Sequence, residues 1–138
     1  MSSRRKAREL ALKVLYQKDS ASDDWKATFK YITDFTKIDK EGKAFAKELI
    51  KGTLENLKLI DSKITEFSKH WNISRISVVD RSILRLACYE MLFQEKIPHA
   101  VSIDEAIELS KKYSADESKS FINGVLDGIL KSLGKEAK

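Results

Sequence analysis

The sequence predicts an all-α fold of about seven helices, and three observations carry that prediction. Apolar residues recur at helical spacing through nearly the whole chain of 138 residues. Turn-forming residues are scarce, because the chain contains only one proline and five glycines, far fewer than an all-β fold needs. Hydrophobic residues make up 42% of the composition, which is enough for a packed core. No repeat or low-complexity linker interrupts the pattern, so we expect a single globular domain over residues 1–138.

Four helices are predicted before residue 70. The first has one apolar face, which is made by Ala7, Leu10, Ala11, Val14 and Leu15. Asp23 or Asp24 could cap the second helix, because a carboxylate at that position accepts hydrogen bonds from the free N–H groups of the first turn. The third helix is expected from about residue 39 to 54 and the fourth over residues 57–67. Residues 70–74 then predict a connection between two lobes.

The remaining helices lie after residue 77. Residues 78–94 are apolar around the whole helix circumference, which is typical of a buried central helix. Pro98 ends this segment, because proline disfavours helical geometry in the residue before it. Ser102 is followed three residues later by a glutamate, which is the spacing of a capping box, so a helix is expected to open there. In the last helix Gly124 and Gly128 lie one turn apart, where they would let a neighbouring helix approach closely.

Positive charge is concentrated at the start of the chain, although the net charge is only +5. Residues 1–20 carry six cations against two carboxylates, whereas residues 98–134 carry four lysines against six carboxylates. This asymmetry favours a local site for a polyanion near the N-terminus. No apolar run approaches the length of a membrane span, and the basic N-terminus lacks the apolar stretch of a signal peptide. We therefore expect a cytoplasmic protein with no membrane partner.

Enzymatic chemistry is not expected, because the residues that would carry it are missing or isolated. No glycine pattern fits a phosphate loop or a dinucleotide fold. His70 and His99 form no helical metal-binding pair, and His99 is expected in a loop after the proline. Cys88, the only cysteine, lies on the apolar helix, which indicates a buried small side chain and not a nucleophile. We expect no catalytic residue, no metal site and no cofactor.

Glu90 falls close to the apolar face of the central helix in a helical projection. A carboxylate there needs a partner, because the burial of an unpaired charge is costly. We favour a structural ion pair with Arg85 or another arginine. A carboxylate exposed at an interface with a partner protein is the alternative interpretation.

The outer face of the first helix combines basic and aromatic residues. In a helical projection Arg5, Arg8, Leu12 and Tyr16 lie opposite the apolar stripe. Arginines attract phosphates and stack on bases, and an exposed tyrosine offers a platform for an unpaired base. The positive end of the helix dipole adds to the charge of the side chains at the helix start. This pattern favours nucleic-acid binding, and a solvated charged face with Tyr16 packed under a loop is the alternative.

Four blocks of the sequence resemble the NusB family. They are residues 4–9 with 11–12 and 15–16 in the first helix, residues 81–90 in the central helix, residues 97–98 and 101–109 after it, and residues 121–127 near the end. Each block is a modest pattern, but together they follow the order of the family over nearly the whole chain. Residues 19–40 resemble the family only weakly.

The resemblance implies two packed helical subdomains, one at about residues 1–70 and the other at about residues 71–138. It implies binding of single-stranded RNA, namely the boxA element of nascent ribosomal RNA leader transcripts. The expected protein partner is NusE, a protein of the small ribosomal subunit. Together with other Nus factors, the complex is expected to act on the RNA polymerase elongation complex and to prevent premature termination. The family implies no catalysis and no cofactor.

The resemblance also assigns two surfaces by position. The RNA surface comprises Arg4, Arg5, Lys6, Arg8, Tyr16, Tyr113, Glu117, Ser118, Lys119 and Phe121. Glu117 cannot hold a phosphate, so it is expected to accept a hydrogen bond from a base edge or to limit affinity by repulsion. For Tyr113 and Phe121, packing inside the protein is an equal alternative to stacking on RNA. The NusE surface is expected on the second subdomain, at Asp80, Arg81 and Arg85, which are charged positions on an otherwise apolar helix.

Two other classes of protein remain open. One is the RNA-binding module of an RNA cytosine methyltransferase, since such enzymes carry a NusB-like domain. The sequence up to Lys138 shows no glycine-rich cofactor segment and no catalytic cysteine motif, so the free-standing protein is expected instead. The other class is a helical adaptor that binds only proteins, and the arginine–tyrosine face argues against it.

Overall fold

The computed structural model describes residues 2–21, 24–69 and 72–134. Within these ranges the chain forms seven α-helices and one short 3₁₀ helix, with no strand, which confirms the predicted all-α class. The α-helices are α1 Ser3–Ala21, α2 Trp25–Asp34, α3 Lys40–Glu55, α4 Leu57–Phe67, α5 Val78–Phe93, α6 His99–Tyr113 and α7 Ser118–Ser132, and the 3₁₀ helix is Ile73–Arg75. None of the helices in this described part of the chain is long and apolar enough to cross a membrane.

The chain divides into two compact units, and the division falls between Glu55 and Asn56. In the first unit, α1 packs against both α2 and α3. In the second unit, α4 packs against α5 and α7, while α6 also packs against α5 and α7. The sequence had placed the division near residue 70. It lies before α4 because Ile60 and Ile64 of that helix are completely buried in the second unit.

The caps of two helices agree with their sequences. The carboxylate of Asp24 accepts a hydrogen bond of 3.1 Å from the Lys26 N–H at the start of α2. Asp23, the alternative cap, lies outside the described residues, as do His70 and Trp71 of the predicted connection. At the start of α5 the Ser77 hydroxyl oxygen accepts a hydrogen bond of 3.2 Å from the Asp80 N–H. Most residues of α5 are buried, as expected of a central helix.

The predicted capping box at Ser102 is wrong, because α6 begins earlier. Pro98 is the N-cap residue, and its carbonyl oxygen accepts hydrogen bonds from the N–H groups of Val101 and Ser102. His99 is therefore the first residue of the helix and not part of a loop. Ser102 lies inside the first turn and is only 1% exposed, and its hydroxyl donates to Glu90 Oε1 over 2.9 Å. The side chain that suggested a cap serves instead as a partner for a buried carboxylate.

The two glycines of α7 have different surroundings. A Cβ atom on Gly128 would lie 2.7 Å from Cδ1 of Phe67, so this glycine gives the α4 ring the space that the sequence predicted. A Cβ atom on Gly124 would meet nothing within 4 Å, so the close approach predicted there is absent.

Alanine substitutions at these two glycines are expected to have opposite effects on stability. Gly128→Ala forces the Phe67 ring to move, and we expect it to lower the free energy of unfolding by about 1–3 kcal/mol, the usual cost of overpacking. Gly124→Ala adds only helix propensity and should raise the free energy of unfolding by about 0.5–1 kcal/mol. Urea denaturation of both variants measures the difference, and equal effects at the two positions would contradict the packing described for Phe67.

Candidate nucleic-acid interface

The start of α1 presents cations beside a helix terminus. Arg4 and Arg5 are exposed and Lys6 is half-buried. Ser2 caps the helix, since its hydroxyl oxygen accepts a hydrogen bond of 3.1 Å from the Arg5 N–H. The first turn contains no acidic residue, so the helix dipole and the side-chain charges are both positive here. An anion approaching this end is attracted by both.

A phenylalanine of α3 lies beneath two arginines of α1. The guanidinium carbons of Arg4 and Arg8 are 5.3 and 5.5 Å from the centroid of the Phe45 ring. These distances fit cation–π contacts, which hold an arginine side chain in place while its charge remains available. The helical projection of α1 alone gave no sign of Phe45, because the contact joins residues that are distant in sequence.

Two residues predicted on the outer face of α1 are buried. Arg8 and Leu12 are each only 3% exposed, so the predicted solvent face is wrong at these positions. The projection placed one apolar stripe inward, whereas α1 packs against two helices and is therefore covered on more than one side. Tyr16 is 42% exposed, as predicted, and is not packed under a loop. The exposed groups of this surface are thus Arg4, Arg5 and Tyr16.

Asp39 ties the start of α1 to the start of α3. Its Oδ1 atom accepts a hydrogen bond of 2.6 Å from the Ser3 hydroxyl and one of 2.7 Å from the Gly42 N–H. These two hydrogen bonds, in that order of importance, and the nearby charge of Lys6 lower the pKa of Asp39 despite partial desolvation. Because the pKa of Asp39 is lowered in the folded protein, the stability that its hydrogen bonds contribute is fully present above the ordinary carboxyl pKa. That stability is lost only as the pH falls through the pKa of Asp39 in the folded protein. The hydrogen bonds of Asp39, which position the basic start of α1, therefore persist at neutral pH.

The start of α7 gathers four of the predicted RNA-binding residues. Glu117 and Lys119 are exposed, Phe121 is half-buried, and Ser118 is 8% exposed. The Ser118 hydroxyl donates to Asp80 Oδ2 over 2.7 Å, so it is already engaged within the protein. Before the turn, Tyr113 is half-buried, with the Lys112 ammonium group 5.5 Å from its ring centroid.

The three residues predicted to contact a partner protein also have partners within the second unit. Asp80 is 8% exposed and accepts from Ser118. Arg81 Nη1 donates to the carbonyl oxygens of Ile73 and Ile76 over 3.0 and 3.3 Å. Arg85 forms a bidentate pair with Asp61, with both N···O distances at 2.8 Å. Each therefore has a structural role, and partner binding by these residues stays a prediction.

Glu90 is a buried, hydrogen-bonded carboxylate. It is 1% exposed, so the alternative of a carboxylate exposed at an interface is wrong. The hydroxyl of Ser102 supplies a hydrogen bond, which meets the predicted need for a partner.

A groove of about 350 Å³ lies beside the start of α7. We call it the Phe121 groove, and it is lined by Arg75, Ile76, Asp80, Glu117, Ser118 and Phe121, together with Ser77. Arg75 and Ile76 could not be predicted from the sequence pattern, because they join the groove from the short 3₁₀ helix and the residue after it, far from α7 in sequence.

The thiol of Cys88 is unsuited to nucleophilic catalysis. Cys88 is completely buried, and desolvation raises its pKa to about 12, so the reactive thiolate is absent near neutral pH. Within the described residues, no three or more metal-binding side chains are grouped together.

We expect the Cys88 thiol of the native protein to resist alkylation by iodoacetamide at mildly alkaline pH, because it is both buried and protonated. Denatured protein should react stoichiometrically, which serves as the control. Mass spectrometry detects the adduct, and rapid labelling of the native protein would show that α5 opens readily at this position.

The fold and these surfaces define a class: an all-α protein of two compact units, with exposed basic residues at the starts of α1 and α7 and an exposed tyrosine on α1. Comparison with known sequences makes the assignment specific. The sequence model of the NusB family matches residues 5–131, and the chain belongs to that family. It is 45% identical over 141 aligned positions to the transcription antitermination protein NusB of Citrifermentans bemidjiense, with 96% of this chain and 97% of the relative covered.

Two solved structures are also similar. The T. maritima NusB structure gives a TM-score of 0.86 at 43% identity and covers 93% of this chain and 90% of its own. A crystal structure of the antitermination factors NusB and NusE in complex with dsRNA gives a TM-score of 0.86 at 31% identity, with 96% of this chain and 98% of that chain covered. The family resemblance predicted from the sequence is therefore confirmed.

Proposed function

We propose that this protein is an RNA-binding transcription antitermination factor without catalytic activity of its own. Its target is the boxA element of nascent ribosomal RNA leader transcripts, and its site of action is the cytoplasm. The observation that carries the proposal is the exposed basic start of α1, where Arg4 and Arg5 extend from a helix terminus with no acidic residue in its first turn. The similar NusB chain in complex with NusE and dsRNA supports it.

In this mechanism the start of α1 collects the RNA backbone by charge. Arg4 and Arg5 approach phosphates directly, while Arg8 stays buried beside Phe45 and fixes the position of the helix start. Tyr16 and Phe121 then hold unstacked bases, since aromatic rings stack on any base. The acidic side chain of Glu117 accepts a hydrogen bond from a base edge and repels misplaced phosphates.

The protein partner is NusE, and the resulting complex acts on the RNA polymerase elongation complex together with other Nus factors. Partner binding extends the basic surface and so raises affinity for RNA. Asp80, Arg81 and Arg85 remain the proposed NusE-facing residues. Their engagement within the second unit means that they would present a rigid surface to the partner.

The proposal is tested by measuring binding to a boxA-like single-stranded RNA, to a scrambled strand of equal composition and to the corresponding duplex, with and without NusE. We expect the boxA-like strand to bind preferentially and NusE to strengthen that binding. The duplex arm is needed because the RNA in the similar NusB–NusE complex is double-stranded. Equal weak binding of all three RNAs, unaffected by NusE, would contradict the proposal and favour an adaptor that binds only proteins.

A further inference from the structure

We propose that the Phe121 groove binds one unstacked RNA base that carries an exocyclic amino group. The inference rests on the proposed RNA binding and adds what this part of the surface recognises. It involves Arg75 and Ile76, which the family resemblance did not place on the RNA surface.

The walls of the groove suit a flat aromatic ligand. Phe121 and Ile76 supply apolar surface, and the volume of about 350 Å³ falls at the small end of the range for ligand sites. A nucleobase that leaves its stack needs such a surface, because stacking on an aromatic side chain replaces the lost contacts with neighbouring bases.

The charges of the groove match a base edge better than a phosphate. Asp80 and Glu117 carry two negative charges against the single positive charge of Arg75, so a phosphate would be repelled on balance. Within the described part of the chain, no hydrogen bond or ion pair engages the side chain of Arg75 or Glu117. The guanidinium can donate to a ring nitrogen or carbonyl, and the carboxylate can accept from an amino group. Adenine, cytosine and guanine offer both kinds of group, whereas uracil has no amino group.

The floor of the groove is fixed before any ligand arrives. Asp80 of α5 accepts hydrogen bonds from Ser114 and Ser118, which stand on either side of the turn between α6 and α7. The two hydroxyl oxygens lie 2.9 Å apart, so the three side chains form one compact cluster. Because Glu117 directly precedes Ser118 and Phe121 follows it by three residues, this cluster fixes the start of α7, from which both side chains extend, against Asp80 of α5. A pre-organised site loses less entropy when it binds a ligand.

Lysines around the turn favour RNA over a protein segment as the occupant. Lys112 and Lys119 are exposed, on the two helices that the turn joins. They can neutralise phosphates on either side of an inserted base, as expected for a strand that crosses the groove.

A scan with abasic RNA tests the inference. Short boxA-like single strands, each with one nucleotide made abasic, are titrated into the wild-type protein and into Arg75→Ala. For the wild type we expect about a tenfold loss of affinity at one position, in line with the usual contribution of one stacked base. For Arg75→Ala the loss at that position should become measurably smaller, because the hydrogen bond from the guanidinium is gone while stacking on Phe121 remains. Lys96→Ala, which removes an exposed cation outside the groove, should keep the wild-type profile. Uracil at the sensitive position should bind more weakly than adenine, cytosine or guanine.

The outcomes separate the inference from the proposed function. The base site is overturned, with RNA binding left intact, if no single abasic position weakens binding to the wild type. It is also overturned if Arg75→Ala binds RNA with normal affinity and shows the same position dependence as the wild type. Normal RNA profiles combined with weaker NusE binding by Arg75→Ala would overturn it as well, by showing that a protein occupies the groove. If the wild type binds none of the RNAs, the proposed function itself fails. Circular dichroism confirms that each variant remains folded.

Discussion

Replacing Arg85 with methionine is expected to lower the free energy of unfolding by about 3 kcal/mol, the lower end of the range for breaking a buried ion pair. The guanidinium pairs with both oxygens of Asp61, and the two side chains are only 12% and 25% exposed. Removing one partner leaves a partly buried carboxylate without its counter-charge. The loss should be visible in urea denaturation as a lower midpoint with an unchanged slope.

Two control variants make this prediction specific. The double variant Asp61→Leu with Arg85→Met should regain most of the stability, because an apolar pair of similar volume removes both charges together. Lys30→Met breaks the exposed pair with Asp34, whose side chains are 78% and 58% exposed, and should change the free energy of unfolding by less than about 0.5 kcal/mol. If Arg85→Met were as harmless as Lys30→Met, the pair would contribute no more than a surface contact.

The second large effect is expected when the charges at the start of α1 are removed together. For the wild type, neutralisation of four or five phosphates predicts a slope of log K against log salt of about −3, at about 0.7 per contact for a single strand. Changing Arg4, Arg5 and Lys6 to glutamine should weaken RNA binding and reduce the magnitude of this slope by about 2. Fluorescence anisotropy at several salt concentrations gives both quantities.

The matched control removes the same number of charges elsewhere. Lys40, Lys47 and Lys51 are exposed on one side of α3, so their replacement by glutamine lowers the net charge equally. We expect this variant to keep most of the wild-type slope. Equal reductions in the two variants would mean that RNA responds to the total charge of the protein and not to the start of α1.

The helices could be predicted from the sequence because each is amphipathic or capped by local residues. The central helix α5 was recognised from its apolar circumference, and α2 from its aspartate cap. The prediction of helix starts and exposed faces failed where another residue or helix overrides the local sequence pattern. Pro98 starts α6 one turn before Ser102, and two neighbouring helices cover α1 where the projection allowed for a single buried stripe.

The candidate site was predicted only in part, for a related reason. Charge and exposure along one helix indicated Arg5 and Tyr16, and the resemblance supplied the residues at the start of α7. The contacts that position these groups join residues distant in sequence, such as Phe45 with the α1 arginines and Asp80 with Ser118. A projection of one helix contains no information about such pairs, so they emerge only when the helices are packed.

The most direct test of the RNA surface is an NMR titration of the isotope-labelled protein with a boxA-like single strand. We expect amide signals to shift at the start of α1, near Tyr16 and at the start of α7. Tyr31 and Phe35 serve as internal controls, because they are exposed aromatic residues, at 67% and 78%, that belong to neither predicted surface. Shifts confined to α2, or the absence of shifts at both helix starts while RNA binds, would contradict the proposed RNA surface.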